Sequence, residues 1–319
     1  MDSMETPFVS FFIVFYNQEK FVKDAIEAAF NQTYQNLEII LSDDCSTDST
    51  FQIIEECVKE YKGPHKVLVN RNTTNMGLTK HMNKCLYELC HGDIIFIGGG
   101  DDISKPERIS ESVKIMQKHP NVMSLSTEVD IIDGNGVALN NNMENHVVSG
   151  GYALMSLTEY VTLKGFYLFP GASRAIRRKV LESYPPLDTA PDEDINLFVR
   201  SIMLGDIAFI HEPLLLYRRH ETNITKLRKQ NGGAANDVKK RQIAKEAYLN
   251  QFAVDLDYAI EHNYVREEFK QQIWEKLNRS FDEYISVPQF TIIQRVYTKL
   301  IRIVSKMFGL QLSVTRIMK

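Results

Sequence analysis

The chain has 319 residues, of which 44% are hydrophobic and 24% charged. That composition belongs to a globular protein with a sizeable core and excludes a disordered, collagenous or low-complexity chain. Thirty-seven Lys and Arg against forty-one Asp and Glu leave a formal charge of −4, which argues against general nucleic-acid binding, whose electrostatic footprint is basic.

Residues 8–15 (FVSFFIVF) form a continuous apolar, β-branched and aromatic run, the pattern of a strand buried on both faces. Asn17 then offers a side-chain cap, and Phe21, Val22, Ala25, Ile26 and Ala29 recur at helical spacing. Residues 37–41 (LEIIL) predict a second buried strand. The Ser/Thr/Asp run 46–50 leads into an amphipathic helix through Ile53, Ile54, Cys57 and Val58. The alternation continues with a strand over 66–69, a helix over 78–89, a strand over 93–97 and a helix from Pro106 to Lys118. Such alternation, with uniformly apolar strands, predicts an α/β fold with a parallel sheet covered on both faces. Ligands of such sheets bind beyond the carboxyl ends of the strands, so chemistry is expected after Phe15, Leu41 and Ile97.

Near residue 125 the rhythm breaks. Asp133-Gly134-Asn135-Gly136 is a turn signal and 140–142 an Asn-rich exposed loop. A strand pair is expected at 207–210 and 214–217, and 231–236 (NGGAAN) reads as a linker into an all-helical remainder. The expected division is therefore residues 1–230 and a helical region over 231–319.

Four constellations could carry chemistry. Asp43-Asp44, at the end of the second strand, can accept hydrogen bonds from a nucleobase or ribose, or else cap the next helix. Gly98-Gly99-Gly100-Asp101-Asp102 lets the backbone approach a ligand closely and offers adjacent carboxylates to a hard divalent cation; a tight turn with solvated aspartates is the alternative. Asp192-Glu193-Asp194 heads a helical segment, as a general base or as a complement to the helix dipole. Tyr217-Arg218-Arg219-His220 suits a phosphate or a metal-bound phosphate, or is solvated surface. The Gly-Asp-Asp triplet also occurs in polymerase palm hairpins, but neither an antiparallel hairpin nor a basic template channel accompanies it. There is no nucleophile elbow, no G-x-x-x-x-G-K-S/T loop and no G-x-G-x-x-G fingerprint.

The order of these features resembles family 2 glycosyltransferases over residues 7–223. Val9-Ser10-Phe11-Phe12-Ile13-Val14-Phe15-Tyr16-Asn17 stands where that family has V-S-I-I-I-P-x-Y-N, and Gln32-Thr33-Tyr34 and Glu38-Ile39-Ile40 follow in order. Leu41-Ser42-Asp43-Asp44-Cys45-Ser46-Thr47-Asp48 matches the family's D-D-G-S-T-D turn, and Asn75-Met76-Gly77 with Asn83 its N-x-G…N helix start. Pro106 and Arg108 follow the acidic site, Glu193-Asp194 with Arg200 match the E-D element, and Pro213-Leu214-Leu215-Leu216-Tyr217-Arg218-Arg219-His220 resembles the closing P-L-x-x-Y-R-x-H.

The resemblance implies a GT-A fold: a Rossmann-like nucleotide-binding half, a mixed acceptor half and here a C-terminal helical extension. It implies inverting transfer from a nucleoside-diphosphate sugar, a UDP-sugar first among them, with Mg2+ or Mn2+. The acceptor would be a glycan or lipid-linked saccharide of bacterial surface polysaccharide synthesis. By position, Phe15, Tyr16, Asn17 and Asp44 would flank the nucleotide, with Asp44 on the base. Asp101 and Asp102 would bind ribose, metal and diphosphate, and His220 would help hold the diphosphate or metal. Asp194, or failing it Glu193, would be the general base. Two positions depart from the pattern: Gly99 replaces the first aspartate of D-x-D-D, and Val14 replaces the proline near the nucleotide. A catalytically silent nucleotide-sugar-binding or scaffold protein of the same fold is the alternative. A nucleotidyltransferase lacks its triphosphate loop, because Tyr16-Asn17-Gln18-Glu19 is not basic enough to be one.

Cys45, Cys57, Cys85 and Cys90 show no C-x-x-C spacing, which fits a reducing compartment. No basic-then-apolar start and no apolar run of about 18 residues is present, so the expected location is cytoplasmic. Residues 289–319 carry six basic and no acidic residues, and over 291–308 a broad apolar helical face opposes Arg295, Lys299, Arg302 and Lys306. A basic amphipathic helix suits peripheral contact with the inner face of an anionic membrane; packing on the catalytic domain or a second subunit is the alternative.

Overall fold

A computed structural model describes residues 6–139, 151–162, 171–187, 193–223 and 234–286. The apolar runs become strands β1 (Val9–Phe15), β2 (Leu37–Asp43), β3 (Lys66–Arg71) and β4 (Ile94–Gly99), and the amphipathic stretches between them become α1 (Val22–Phe30), α2 (Thr50–Glu60) and α3 (Leu78–Lys84). These four strands are parallel, in the order β3-β2-β1-β4. β1 thus pairs with β2 on one side and with β4 on the other, a point where strand order reverses and the carboxyl ends open a crevice. Helix α3 stops at Lys84 and gives way to a π-helical turn, Cys85–Leu89, so the helix expected over 78–89 is two unlike pieces.

The second half continues with β5 (Ile103–Ser104), α4 (Arg108–Lys118), β6 (Val122–Ile132), β7 (Tyr152–Met155), α5 (Leu157–Thr162), β8 (Ala175–Arg177), α6 (Arg178–Glu182), α7 (Glu193–Leu204) and β9 (Asp206–Arg218). Among the described residues all strands join one sheet of order β3-β2-β1-β4-β8-β6-β9-β5, with β7 also on β9. β8 runs antiparallel to both β4 and β6, so the parallel half grades into a mixed one. The strand pair expected at 207–210 and 214–217 is a single strand, β9. His211, Glu212 and Pro213 interrupt its apolar pattern where the register with β6 shifts between Thr127 and Val129. A proline without an N–H is tolerated at such a bulge. The turn at Asp133 forms as expected: its Oδ1 accepts the N–H groups of Asn135 and Val137 at 2.8 and 2.9 Å, and Gly136 takes φ +82°.

One core lies between β1, β2, β4 and helices α1, α2 and α4. A second forms where α7 meets two C-terminal helices, α8 (Ala234–Glu261) and α9 (Lys270–Ser286): Phe198, Ile202 and Met203 pack with Tyr248, Phe252, Leu256, Ile273 and Leu277. Ala234, Ala235 and Asn236, read as linker, already belong to α8. The Asn-rich loop over 140–142 and the basic tail over 289–319 lie outside the described residues. Among the described residues no helix is long and apolar enough to cross a membrane.

Candidate active site

The crevice between β1 and β4 is walled first by the β1 and β2 ends. Phe15 is buried and Tyr16 is 46% exposed. Asn17 adopts φ +51°, a left-handed conformation that Asn tolerates. Its N–H donates to Ser46 Oγ (2.9 Å) and its Oδ1 accepts the N–H of Thr47 (2.8 Å), which stitches the loop after β1 to the loop after β2. Asp43 is fully buried and accepts from the N–H and the hydroxyl of Ser46. Asp44, also buried, holds the loop before α3: Oδ1 accepts from Asn72 Nδ2 (2.8 Å) and the N–H of Met76 (2.9 Å), and Oδ2 from the N–H of Gly77 (3.0 Å). Both aspartates thus organise loops.

The end of β4 forms the floor. A Cβ on Gly100 would lie 2.4 Å from the Phe15 ring and 2.3 Å from Gln18 Oε1. Because Phe15 is buried and cannot give way, Gly100→Ala is expected to cost about 1–3 kcal/mol, read as a lower midpoint in urea unfolding. At Gly99 a Cβ would stand 3.0 Å from Asp101 Oδ1 and 3.1 Å from Asp102 Oδ2, so both carboxylates turn toward one small space that a side chain would obstruct.

Asp101 and Asp102, adjacent in sequence, have different surroundings. Asp101 Oδ2 lies 2.9 Å from His220 Nε2 and accepts from Asn223 Nδ2 at 3.0 Å. His220 is itself fixed, with Nδ1 2.9 Å from Thr222 Oγ1 and its ring 4.4 Å from that of Phe21. Asp102 is buried and its Oδ1 accepts the N–H of Arg218 (2.9 Å). Burial, then the neighbouring Asp101 charge, push its carboxyl well above the usual range, against the pull of Arg108 and Arg218.

Two buried arginines frame this floor. Arg218 Nε donates to the carbonyl of Asp101 (2.8 Å), Nη2 to Asp24 Oδ2 (2.7 Å) and Nη1 to the carbonyl of Gly134 (3.2 Å). Arg108 donates to Ser104 Oγ and to the carbonyls of Ile97 and Ala172, and burial pulls it down to about 10. Their signal was present as P-x-R and Y-R-x-H, but the sequence pointed to neither as a clamp.

Glu193 and Asp194 form the first turn of α7, with Asp194 beside Gly171. Glu193 is 8% exposed and Asp194 half-buried, with Oδ1 accepting the N–H of Ile195 at 2.8 Å. Asp192 lies outside the described residues. The structure therefore brings Asp101 against His220, and turns the Asp101 and Asp102 carboxylates toward the same space at Gly99. It groups Phe15, Asn17 and Asp44 in the adjoining wall, where the N–H of Asp44 donates to the carbonyl of Phe15 at 2.9 Å.

Among the described residues no three His, Cys, Asp or Glu side chains form a complete metal cage. The set present, a carboxylate and an imidazole with a second carboxyl turned toward the open space at Gly99, fits Mg2+ or Mn2+ shared with phosphate oxygens.

A parallel sheet with a switch point, continued by a mixed sheet and flanked by C-terminal helices, is the architecture of GT-A glycosyltransferases. Residues 10–184, more than half of the chain, match the family model described as Glycosyl transferase family 2, and the chain belongs to that family. It is 30% identical over 232 residues to "Putative glycosyltransferase EpsE" of Bacillus subtilis (strain 168), covering 70% of this chain and 76% of that one. It is 25% identical over 262 residues to an uncharacterized glycosyltransferase of Nostoc sp., covering 78% and 77%. Among solved structures, S. aureus TarS 1–349 in complex with UDP-GlcNAc superposes with a TM-score of 0.61 at 20% identity, over 86% of this chain and 72% of that chain. The mannosyltransferase PcManGT of Pyrobaculum calidifontis, in complex with GDP-Man and Mn2+, gives 0.53 at 15% identity, over 94% and 81%. These likenesses carry the fold.

Proposed function

We propose that this glycosyltransferase moves a sugar, with inversion, from a nucleoside-diphosphate sugar, a UDP-sugar first among candidates, to a hydroxyl of a glycan or lipid-linked saccharide in bacterial surface polysaccharide synthesis. The observation that carries the reading is the Asp101–His220–Asn223 cluster at the β4 end. Asp194 stands apart from it at the head of α7. One side is suited to a diphosphate and the other to an acceptor.

When bound, Mg2+ or Mn2+ supplies positive charge that offsets the charge developing on the leaving diphosphate. Asp101, with Asp102 and His220, would hold it. Asn223 fixes the Asp101 carboxylate, while Arg218 holds the Asp101 carbonyl through Nε and the Asp102 carboxylate through its N–H. The exposed Tyr16 ring, with Asn17 and Asp44 behind it, is placed to flank the nucleoside. Asp194 takes the acceptor proton as the acceptor oxygen forms its bond to the anomeric carbon. The bond from that carbon to the diphosphate oxygen breaks, and its electron pair leaves with the diphosphate. Single displacement requires no protein nucleophile, and opposite placement of base and leaving group gives inversion.

Calorimetric titration with UDP, GDP and dTDP, with and without Mn2+, tests the donor site. One nucleotide is expected to bind at least about tenfold more tightly with Mn2+, and Asp101→Ala is expected to abolish that gain, a loss of about 1.4 kcal/mol or more. Absence of binding by all three would favour the silent scaffold. A membrane role for residues 289–319 belongs to the same proposal and is read by co-sedimentation of the full chain with anionic vesicles.

A further inference from the structure

Arg174 is the residue between the 3-10 turn Gly171–Ser173 and β8, and its backbone and side chain serve different halves of the molecule. Its carbonyl accepts the N–H of Ile97 (3.0 Å), two residues before Gly99, and so belongs to the end of β4. Its side chain crosses to α7, where Nη1 donates to the main-chain carbonyl of Asp194 and the guanidinium lies 5.9 Å from the Phe198 ring centre.

The guanidinium is 1% exposed, yet Nε and Nη2 have no hydrogen-bond partner among the described residues. Unsatisfied buried donors cost stability, so net stabilisation does not account for a cation at this position. The charged groups that face it include the Asp194 and Glu193 carboxylates, which oppose the lowering of its affinity for a proton by burial. Asp194 is met from its own helix by the like charge of Glu193, and from the Gly171–Ser173 side by Arg174.

We infer that Arg174 is a positioning residue for transfer: it seats the first turn of α7 against the end of β4 and supplies the charge that favours the ionised form of Asp194. The inference rests on the reading of Asp194 as the base. An ionised carboxylate is the form that takes a proton, and a cation nearby favours it. Loss of the cation raises the carboxyl pKa and moves the acidic limb of the rate profile to higher pH.

The test follows nucleoside-diphosphate release with water as acceptor from pH 5 to 9, using whichever of UDP-glucose, UDP-N-acetylglucosamine and GDP-mannose is turned over fastest. Arg174→Met is expected to shift the acidic limb upward by about one pH unit, so that the rate on that limb falls about tenfold and converges toward wild type at high pH. Arg174→Lys keeps the charge and is expected to keep the limb in place while turning over more slowly. The melting temperature of Arg174→Met is expected to match or exceed wild type, because an apolar residue of similar length replaces an unsatisfied cation. A limb that does not move, or a variant that unfolds or loses rate equally at every pH, overturns the inference. Asp194→Asn separates the two readings: undiminished turnover in that variant removes the base and this inference together. A dead Asp194→Asn with an unmoved Arg174→Met limb removes this inference alone. Absence of release from all three donors by the wild type sinks the transfer reading and this one with it.

Discussion

Asp194→Asn is expected to lower turnover by about 10²–10⁴-fold while leaving nucleotide affinity unchanged, the magnitude typical of losing a general base. The carboxamide is isosteric, and its oxygen can still accept the N–H of Ile195 that Oδ1 accepts at 2.8 Å, so the helix start keeps its form. What disappears is the capacity to take a proton. On the proposed reading the nucleotide would bind at the Asp101–His220 cluster, and its affinity would be indifferent to that change. Glu193→Gln supplies the contrast. Glu193 is buried at 8% exposure, whereas Asp194 is half-buried. The smaller effect on turnover is therefore expected at Glu193, with a larger effect on stability. Single-turnover rates and calorimetry on the same preparations distinguish the two. Equal losses of turnover at both positions would leave the base unassigned between Asp194 and Glu193.

How much of this was legible in the residues depended on the range of the interactions. The runs FVSFFIVF and LEIIL declared β1 and β2 because strands buried on both faces have little choice of composition. Placing the site after β1, β2 and β4 followed from the parallel order, and Asp101 and His220, 119 positions apart, do meet. The misreadings arose where a local pattern is overruled by a partner. His211, Glu212 and Pro213 look like a break until β6 is seen to accommodate them with a register shift. The helix through 78–89 keeps its apolar period while changing to a π turn at Cys85. Nothing in composition tells Asp101 from Asp102; the N–H of Arg218, from the far end of the sheet, makes one an anchor and leaves the other facing His220. The buried arginines were legible only as letters in motifs. Their function is to join carbonyls and carboxylates from segments up to 194 residues apart, as Arg218 and Asp24 show.

The buried ion pair between α7 and α8 predicts the largest loss of stability. Arg200 of α7 and Asp255 of α8 form a two-pronged pair, Nε to Oδ2 and Nη2 to Oδ1, each 2.8 Å, with both side chains 1% exposed. The remaining nitrogen Nη1 donates to the carbonyl of Pro185 (2.7 Å), Gln251 Nε2 donates to Asp255 Oδ1 (3.0 Å), and the guanidinium lies 5.0 Å from the Tyr184 ring centre. Every charged atom is answered, which is the condition under which a buried pair holds. Asp255→Ala removes the partner and leaves a cation stranded in the second core, so a loss of about 3–5 kcal/mol in urea unfolding is expected. Arg200→Met with Asp255→Leu removes both charges and is expected to recover most of that loss, because the penalty comes from the stranded charge rather than from the missing attraction. Tyr184, whose hydroxyl burial pushes further above its usual range, stays neutral in all of these variants. The pair ties the helix that begins with Glu193 and Asp194 to a segment beyond the matched family region. The doubly apolar variant therefore separates two quantities: if stability returns without turnover, the charge pair sets the placement of Asp194, and if both return, apolar packing between α7 and α8 is enough to hold Asp194 in place.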